Sequence, residues 1–334
     1  KFFGITAIYL GHLEEPAGLC WPFVYTFHVQ MFFLIAGFFA ISSSVGKSLT
    51  YKQYVWKKCK SLVFPYFLFC AITIIVRLLV GTAQLSELPK MIGFSLRGIK
   101  NQTVGLGMWF LPCLFIVSIW VDLLLRILKN RYVILVISIV LFVIVERLLP
   151  YRAYQYPILW FGIDSAMYYM VFYVMGAIAF PWLCALTRKS IKEYKKWEQA
   201  ALFVGMLFVV TYSVIVFFQL DGSVLTLLTS VKLGVFYPIF KACTGSCLII
   251  SLSMLLAGLF PGNRLFSNIG KSTLILCGNE TVIKLLAGIL LGLFGFEVGM
   301  LNAVTSCIYA TALIIIATYT VIPLEKKCFP FILK

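Results

Sequence analysis

Charge is scarce in this chain. Only 12% of its 334 residues are Asp, Glu, Lys or Arg, about half the quarter that soluble domains carry. No long polar stretch separates its apolar runs, so a water-soluble domain is excluded and one membrane-embedded bundle over residues 1–334 is expected. Histidine is scarcer still, which leaves imidazole chemistry two positions, His12 and His28. The ten cysteines include no C-x-x-C pair, which argues against a zinc site and a disulfide framework, and their scatter through apolar segments reads as small buried residues. There is no convincing internal repeat, no low-complexity tract and no cleavable signal peptide. The sequence opens at Lys1 already inside an apolar run, and about eight residues of the first helix are expected to be absent.

What is present is hydrophobic: 62% of residues, with a mean hydropathy of +1.00. A membrane-crossing helix needs about 20 mostly apolar residues. Ten candidates follow: 1–13, 21–44, 61–80, 108–125, 132–149, 164–186, 200–220, 233–260, 273–294 and 299–322. The expected fold is therefore all-α and polytopic, with about ten transmembrane helices. The net charge of +16 does not imply nucleic acid, because the basic residues sit in short clusters between apolar runs and form no soluble basic face.

Those clusters alternate. Lys47, Lys52, Lys57, Lys58 and Lys60 fall in the second connection, Arg126, Lys129 and Arg131 in the fourth, and Arg188, Lys189, Lys192, Lys195 and Lys196 in the sixth. Arg264 and Lys271 fall in the eighth, and Lys326, Lys327 and Lys334 in the tail. The opposite connections hold only Lys90, Arg97, Lys100, Arg147, Arg152 and Lys232. Cytoplasmic loops carry the excess of Lys and Arg, so both termini are expected in the cytoplasm and His12, Glu14 and Glu15 toward the outer face. The longest connection, 81–107, mixes apolar and basic residues and suits an interfacial helix.

Ionisable groups at membrane depth are functional candidates. Here they are Lys1, His12, His28, Arg77, Lys241, Glu280 and Lys284. In "KFFGITAIYLGH", Lys1 and His12 are eleven residues apart, which is three helical turns plus about 20°, so they share one face about 16 Å apart along the axis. A histidine serves as general base near neutral pH. Structural alternatives stand beside each candidate. Lys1 can snorkel and His12 can cap a wet helix end; His28 can be a packing residue; Glu280 and Lys284, four apart, suit an internal ion pair. Arg77 can snorkel near the outer boundary. The "KKCK" run can be a topology signal or can capture an anionic cofactor.

Five stretches in order carry a resemblance: the Lys-x10-His pair, "FHVQMFFLIAGFF", "YVWKKCKSLVFPYFLF", "MWFLPCLF" and "FSNIGKSTLIL". They resemble the acyltransferase-3 family of integral membrane acyltransferases, in its branch related to fucose 4-O-acetylase. The resemblance implies transfer of an acyl group, commonly acetyl from cytoplasmic acetyl-CoA, to a hydroxyl of a cell-surface or lipid-linked carbohydrate at a bacterial inner membrane. On that basis His12 is the expected base, with Lys1 holding part of the donor, His28 a further catalytic-site residue and Glu14 or Glu15 orienting His12. Lys57 and Lys60 lie where the family carries an R-x-x-R pair for the donor. Many relatives have a histidine shortly after the "IGKSTLIL" segment; this chain offers Asn279 and Glu280 there, read as substrate contacts. Trp109 can stack on a sugar ring or anchor at the interface. No metal is expected. The partners implied are acetyl-CoA, a carbohydrate acceptor and membrane lipids, and no nucleic acid. Two other functions stay open: a transporter or flippase of a lipid-linked sugar or anionic metabolite, and a non-catalytic sensor.

Overall fold

In the computed structural model, residues 1–40, 49–188, 193–230 and 233–332 are described, and among them there are helices and turns but no strand. The helices in chain order are α1 (Phe2–Gly11), α2 (Cys20–Tyr25), α3 (His28–Phe38), α4 (Tyr51–Lys58), α5 (Phe64–Leu79), α6 (Leu88–Arg97), α7 (Phe110–Leu128), α8 (Arg131–Arg147) and α9 (Ile163–Arg188). They continue with α10 (Lys196–Phe217), α11 (Gly222–Ser230), α12 (Tyr237–Leu259), α13 (Arg264–Lys271), α14 (Thr273–Gly278), α15 (Glu280–Gly292), α16 (Ala303–Tyr319) and α17 (Val321–Cys328).

Seven stretches are long and apolar enough to cross a membrane: Cys20–Phe38, Tyr51–Leu79, Leu106–Leu128, Trp160–Arg188, Lys196–Phe217, Gly234–Leu259 and Ala303–Cys328. The protein is thus an all-helical, polytopic membrane protein. Three of the ten expected spans differ. The first, α1, has 10 residues; the fifth, α8, has 17; and the span expected over 273–294 is interrupted at Asn279, which divides it into α14 and α15. Among the basic residues of the loop alternation, Lys47, Lys189, Lys192, Lys232 and Lys334 lie outside the described residues. The long connection 81–107 does contain a helix, α6, which ends on Gly98 in the left-handed conformation (φ 62°).

The core is laid around α9. Tyr168 through Val174 are all buried, and α9 packs on α3, α7 and α8. Two glycines permit the closest approach: a Cβ on Gly37 would collide with the Tyr173 carbonyl, and one on Gly176 with the Leu34 carbonyl. With no side chain between them, the two backbones meet directly, as helices in lipid do where small residues line the contact. Phe33 stacks on Tyr169 at 4.6 Å and locks the same seam.

Three backbone irregularities shape the centre. Phe27, with φ −144°, separates α2 from α3. Asn279 separates α14 from α15. Between α4 and α5 a π turn runs over Cys59–Val63, ending two residues before Pro65. Proline cannot donate its backbone hydrogen bond and crowds the preceding turn, and the widened turn accommodates it. Non-helical backbone at membrane depth is tolerated where protein buries it or where it lines a cavity, and the first two breaks flank the residues described next.

Candidate active site

His12 is the C-cap of α1, its backbone N–H donating to Ile8 at 3.0 Å. Its Nδ1 lies 2.7 Å from Oε2 of Glu280, a residue 268 positions away in sequence. A carboxylate only accepts, so Nδ1 carries the hydrogen and Nε2 is left as the base of the neutral ring. Glu280 is fully buried, 0% exposed. Its second oxygen, Oε1, forms an ion pair with Lys284 Nζ at 2.7 Å, one turn along α15. Lys284 also donates to the Tyr9 carbonyl at 3.0 Å, and the Tyr9 hydroxyl donates to the Leu276 carbonyl at 3.0 Å. These contacts clamp α1 between α14 and α15.

The break at Asn279 makes Glu280 the first residue of α15. An acidic side chain there faces unpaired backbone N–H groups and the positive end of the helix, which favours the ionised carboxylate. The break itself has a side-chain partner: Asn279 Nδ2 donates to the Ile275 carbonyl at 3.0 Å and to Glu325 at 2.9 Å. Next to it, a Cβ on Gly278 would collide with the Phe69 ring.

His28 opens α3 after the other break. Its Nδ1 donates to the Val24 carbonyl at 2.8 Å, so its Nε2 is likewise the bare nitrogen of the neutral ring. The two imidazoles lie with centroids 6.3 Å apart and planes at 89°, and the Tyr25 ring is 4.9 Å from His28.

A cavity of about 450 Å³ joins these groups. One end is walled by Lys1, Phe39, Leu62 and Thr273, and the middle by apolar side chains that include Ile8, Val29 and Phe32. At the other end His12 and His28 meet Tyr25, Gln30, Lys100, Trp109, Tyr154 and Gln155. Lys100 Nζ donates to the Tyr154 carbonyl at 2.8 Å and sits 4.7 Å over the Trp109 ring. Burial pushes its ammonium down to about 8. A second cavity, about 630 Å³, adjoins the first at Lys1, which lines both. Its walls include Arg264, Lys271, Asn263, Asn268 and Phe266.

Lys1, His12, His28 and Trp109 therefore share one cavity, and the first two lie at opposite ends of α1, as their spacing predicts. Other expectations need correction. Glu14 is exposed in the turn after α1 with φ 59°, and neither it nor Glu15 bonds His12; Glu280 holds that position. Glu280, read as a substrate contact, does not line the cavity, and its two oxygens lie 2.7 Å from His12 and Lys284. Asn279 does not line the cavity; it is 1% exposed and bonded to Glu325. Lys57 and Lys60 are exposed and line neither cavity, and Lys60 lies 5.3 Å over the Trp56 ring. The wall residues Tyr25, Gln30, Lys100, Tyr154 and Gln155 were not singled out as site candidates by sequence reasoning. Only Lys100 left a signal, as a basic residue in a loop on the basic-poor side.

A family model described as an acyltransferase domain matches residues 1–324, and the chain belongs to that family, acyltransferase-3. No curated protein and no solved structure matches it. Membership identifies the chain as a membrane acyltransferase in the general sense, one that transfers groups other than aminoacyl.

Proposed function

We propose that this acyltransferase-3 protein moves an acyl group, acetyl in the first instance, from cytoplasmic acetyl-CoA to a hydroxyl of a cell-surface or lipid-linked carbohydrate at a bacterial inner membrane. One observation carries the reading: a single cavity has a lysine at one end, an apolar middle, and a paired histidine beside a polar, aromatic chamber at the other. A phosphorylated thioester with a long arm suits that sequence of surfaces. Lys1, with Arg264 and Lys271 of the adjoining cavity, supplies cations for its phosphates. Lys57 and Lys60, exposed just before Leu62 in the chain, attract the same anion to that end without holding it inside. The apolar middle excludes water from the arm and from the thioester.

At the polar end Glu280 fixes the His12 ring through Nδ1–H, so Nε2 takes the proton of the acceptor hydroxyl as its oxygen bonds to the acyl carbon. The carbon–sulfur bond breaks, and His12 returns the proton to the departing thiolate. Glu280 stabilises the imidazolium formed between these two transfers, and Lys284 keeps the carboxylate charged and in place. Trp109, with Lys100 over its ring, presents an aromatic wall to the acceptor. His12→Ala is expected to lower acetyl transfer from labelled acetyl-CoA to envelope glycan by about 10²- to 10⁴-fold; labelling at the wild-type level would sink the assignment.

A second reading, transport of a lipid-linked sugar or anionic metabolite, is favoured by the two broken helices at the cavity. It predicts that reconstituted wild-type protein moves substrate across vesicles while acetylating nothing.

A further inference from the structure

The buried cations of this bundle are mostly matched. Lys284 pairs with Glu280, Lys241 with Asp221 at 2.9 Å and Arg126 with Asp122 at 2.6 Å. Lys58 and Lys100 have no such partner among the described residues, and of the two Lys100 lines the cavity that holds the histidines. Among the described residues no carboxylate lies within 4.0 Å of its Nζ. Its protein contacts are one carbonyl, from Tyr154, and the face of Trp109. An ammonium has three donors, so one bond to a neutral oxygen leaves two of them for a ligand in the cavity that Lys100 lines. Burial with no carboxylate beside it pushes the Lys100 ammonium down to about 8.

The charge is not needed to tether the loop. Asn101, the next residue, fastens the same segment with a neutral donor, Nδ2 to the Gln155 carbonyl at 2.9 Å. Glu14 lies near Tyr25 and Glu146 near Tyr154, but among the described residues no carboxylate lines the cavity. Glu280 is committed to His12 and Lys284, and Asp164 is taken up by the backbone of Ile158 and Ser165 and by the Tyr151 hydroxyl. Gln30 adds a buried side-chain oxygen with no hydrogen-bond partner among the described residues, in the wall of the same cavity.

We infer that Lys100 is the anchor for an anionic group of the acceptor, so that the acceptor is an acidic carbohydrate carrying a carboxylate or a phosphate close to the hydroxyl that is acylated. The inference deepens the transferase reading and rests on it for the word acceptor. A carboxylate would belong to an acidic sugar and a phosphate to a lipid-linked one; both would meet the ammonium beside Trp109, with the sugar's neutral groups within reach of Gln30, Gln155 and Tyr25.

The test uses the full chain in lipid nanodiscs, wild type and the variants Lys100→Met, Lys100→Arg and Asn101→Ala. Glucuronate, inorganic pyrophosphate and glucose are titrated in turn and binding is read by thermophoresis. Transfer to matched neutral and acidic glycans gives acceptor KM and kcat. Wild type and Lys100→Arg are expected to bind at least one of the two anions, and Lys100→Met about 10- to 100-fold more weakly. Asn101→Ala keeps the preference, which separates charge from loop tethering. Glucuronate preference identifies the acidic sugar, and pyrophosphate preference the lipid-linked phosphate. In transfer, Lys100→Met raises KM for the acidic glycan by a larger factor than for the matched neutral glycan, and Lys100→Arg restores the difference. Equal anion binding by Lys100→Met and wild type, or no anion binding by wild type, overturns the inference. Lys100-dependent anion binding by a protein that transfers no acyl group to any glycan retains the anion site and overturns the transferase reading instead.

Discussion

Glu280→Gln separates chemistry from architecture at this site. The substitution keeps shape and removes charge at a residue that is 0% exposed and lies 2.7 Å from both His12 and Lys284. Two losses follow. Lys284 is left with the Tyr9 carbonyl and no carboxylate, and breaking a buried pair in this way costs about 3–5 kcal/mol. A glutamine still accepts one hydrogen bond, which puts the expected loss near the lower figure, about 3 kcal/mol. The second loss is catalytic. An amide can turn its NH2 toward Nδ1, which moves the imidazole hydrogen to Nε2, where the base is needed, and kcat is expected to fall by about 10²- to 10⁴-fold. The assay is acyl transfer with labelled acetyl-CoA, run beside thermal unfolding. Glu280→Gln with Lys284→Met removes both charges and should regain much of the stability while regaining no activity. His12→Ala with Glu280→Gln should be no slower than His12→Ala alone, because residues that act as a unit are not additive. Multiplicative losses in that double variant, or a Glu280→Gln protein within about threefold of wild-type kcat, would refute the relay.

Gly176→Ala should prevent stable folding, since the new Cβ meets the Leu34 carbonyl and overpacking against backbone costs about 1–3 kcal/mol or more; monodisperse purified protein with an unchanged Tm would contradict the α3–α9 contact. Lys57→Gln with Lys60→Gln should raise the donor KM a few-fold, most at low salt, and leave kcat alone, as expected for exposed cations that attract but do not line the cavity; a fall in kcat would place them inside the site. Lys100 makes the use of acidic acceptors pH-dependent. Its ammonium loses its proton near pH 8, so kcat/KM for an acidic acceptor should decline above that value. Lys100→Arg should remove the decline, because guanidinium stays charged. Tyr154, Cys113 and His28 are the other titratable groups near Lys100. The sign for stability is opposite: with the folded value about 8 and the ordinary one 10.5, the penalty for burying the charge is present below pH 8 and fades as pH rises toward 10.5. A flat profile for the acidic acceptor in wild type would show that the protonated lysine is not required.

How much of this was legible in the sequence follows from the range of each interaction. Contacts within one helix could be read. The eleven-residue spacing of Lys1 and His12 puts both in one cavity wall, and the four-residue spacing of Glu280 and Lys284 gives their ion pair. Contacts that depend on a break could not. A carboxylate near His12 in sequence, Glu14, lies past the helix end where the chain turns with φ 59°, whereas the true partner is 268 residues away. Nothing in hydropathy marks the interruptions at Phe27 and Asn279, since both sit within apolar runs; Gly278 and Asn279 are a weak hint. The three-residue spacing of Lys57 and Lys60 crosses into a π turn, so the helical geometry that would aim them together does not apply.

The two breaks also explain why ionisable groups can stand at this depth at all. A continuous helix spends its backbone donors on itself and offers a buried carboxylate nothing but lipid or apolar side chains. Interrupted at Asn279, the chain places Glu280 on a fresh helix start, beside a lysine one turn on and a histidine from α1. Three sources of positive potential then converge on one carboxylate. Interrupted at Phe27, the chain lets the His28 side chain join the Phe27 N–H on the Val24 carbonyl, which fixes that ring through Nδ1. Each break thus positions one imidazole, His12 through Glu280 and His28 through Val24, and the 6.3 Å between the rings is set by two helix interruptions and not by either histidine's own helix. A substitution that restored helical continuity at either break would displace one ring relative to the other while leaving both histidines in the chain.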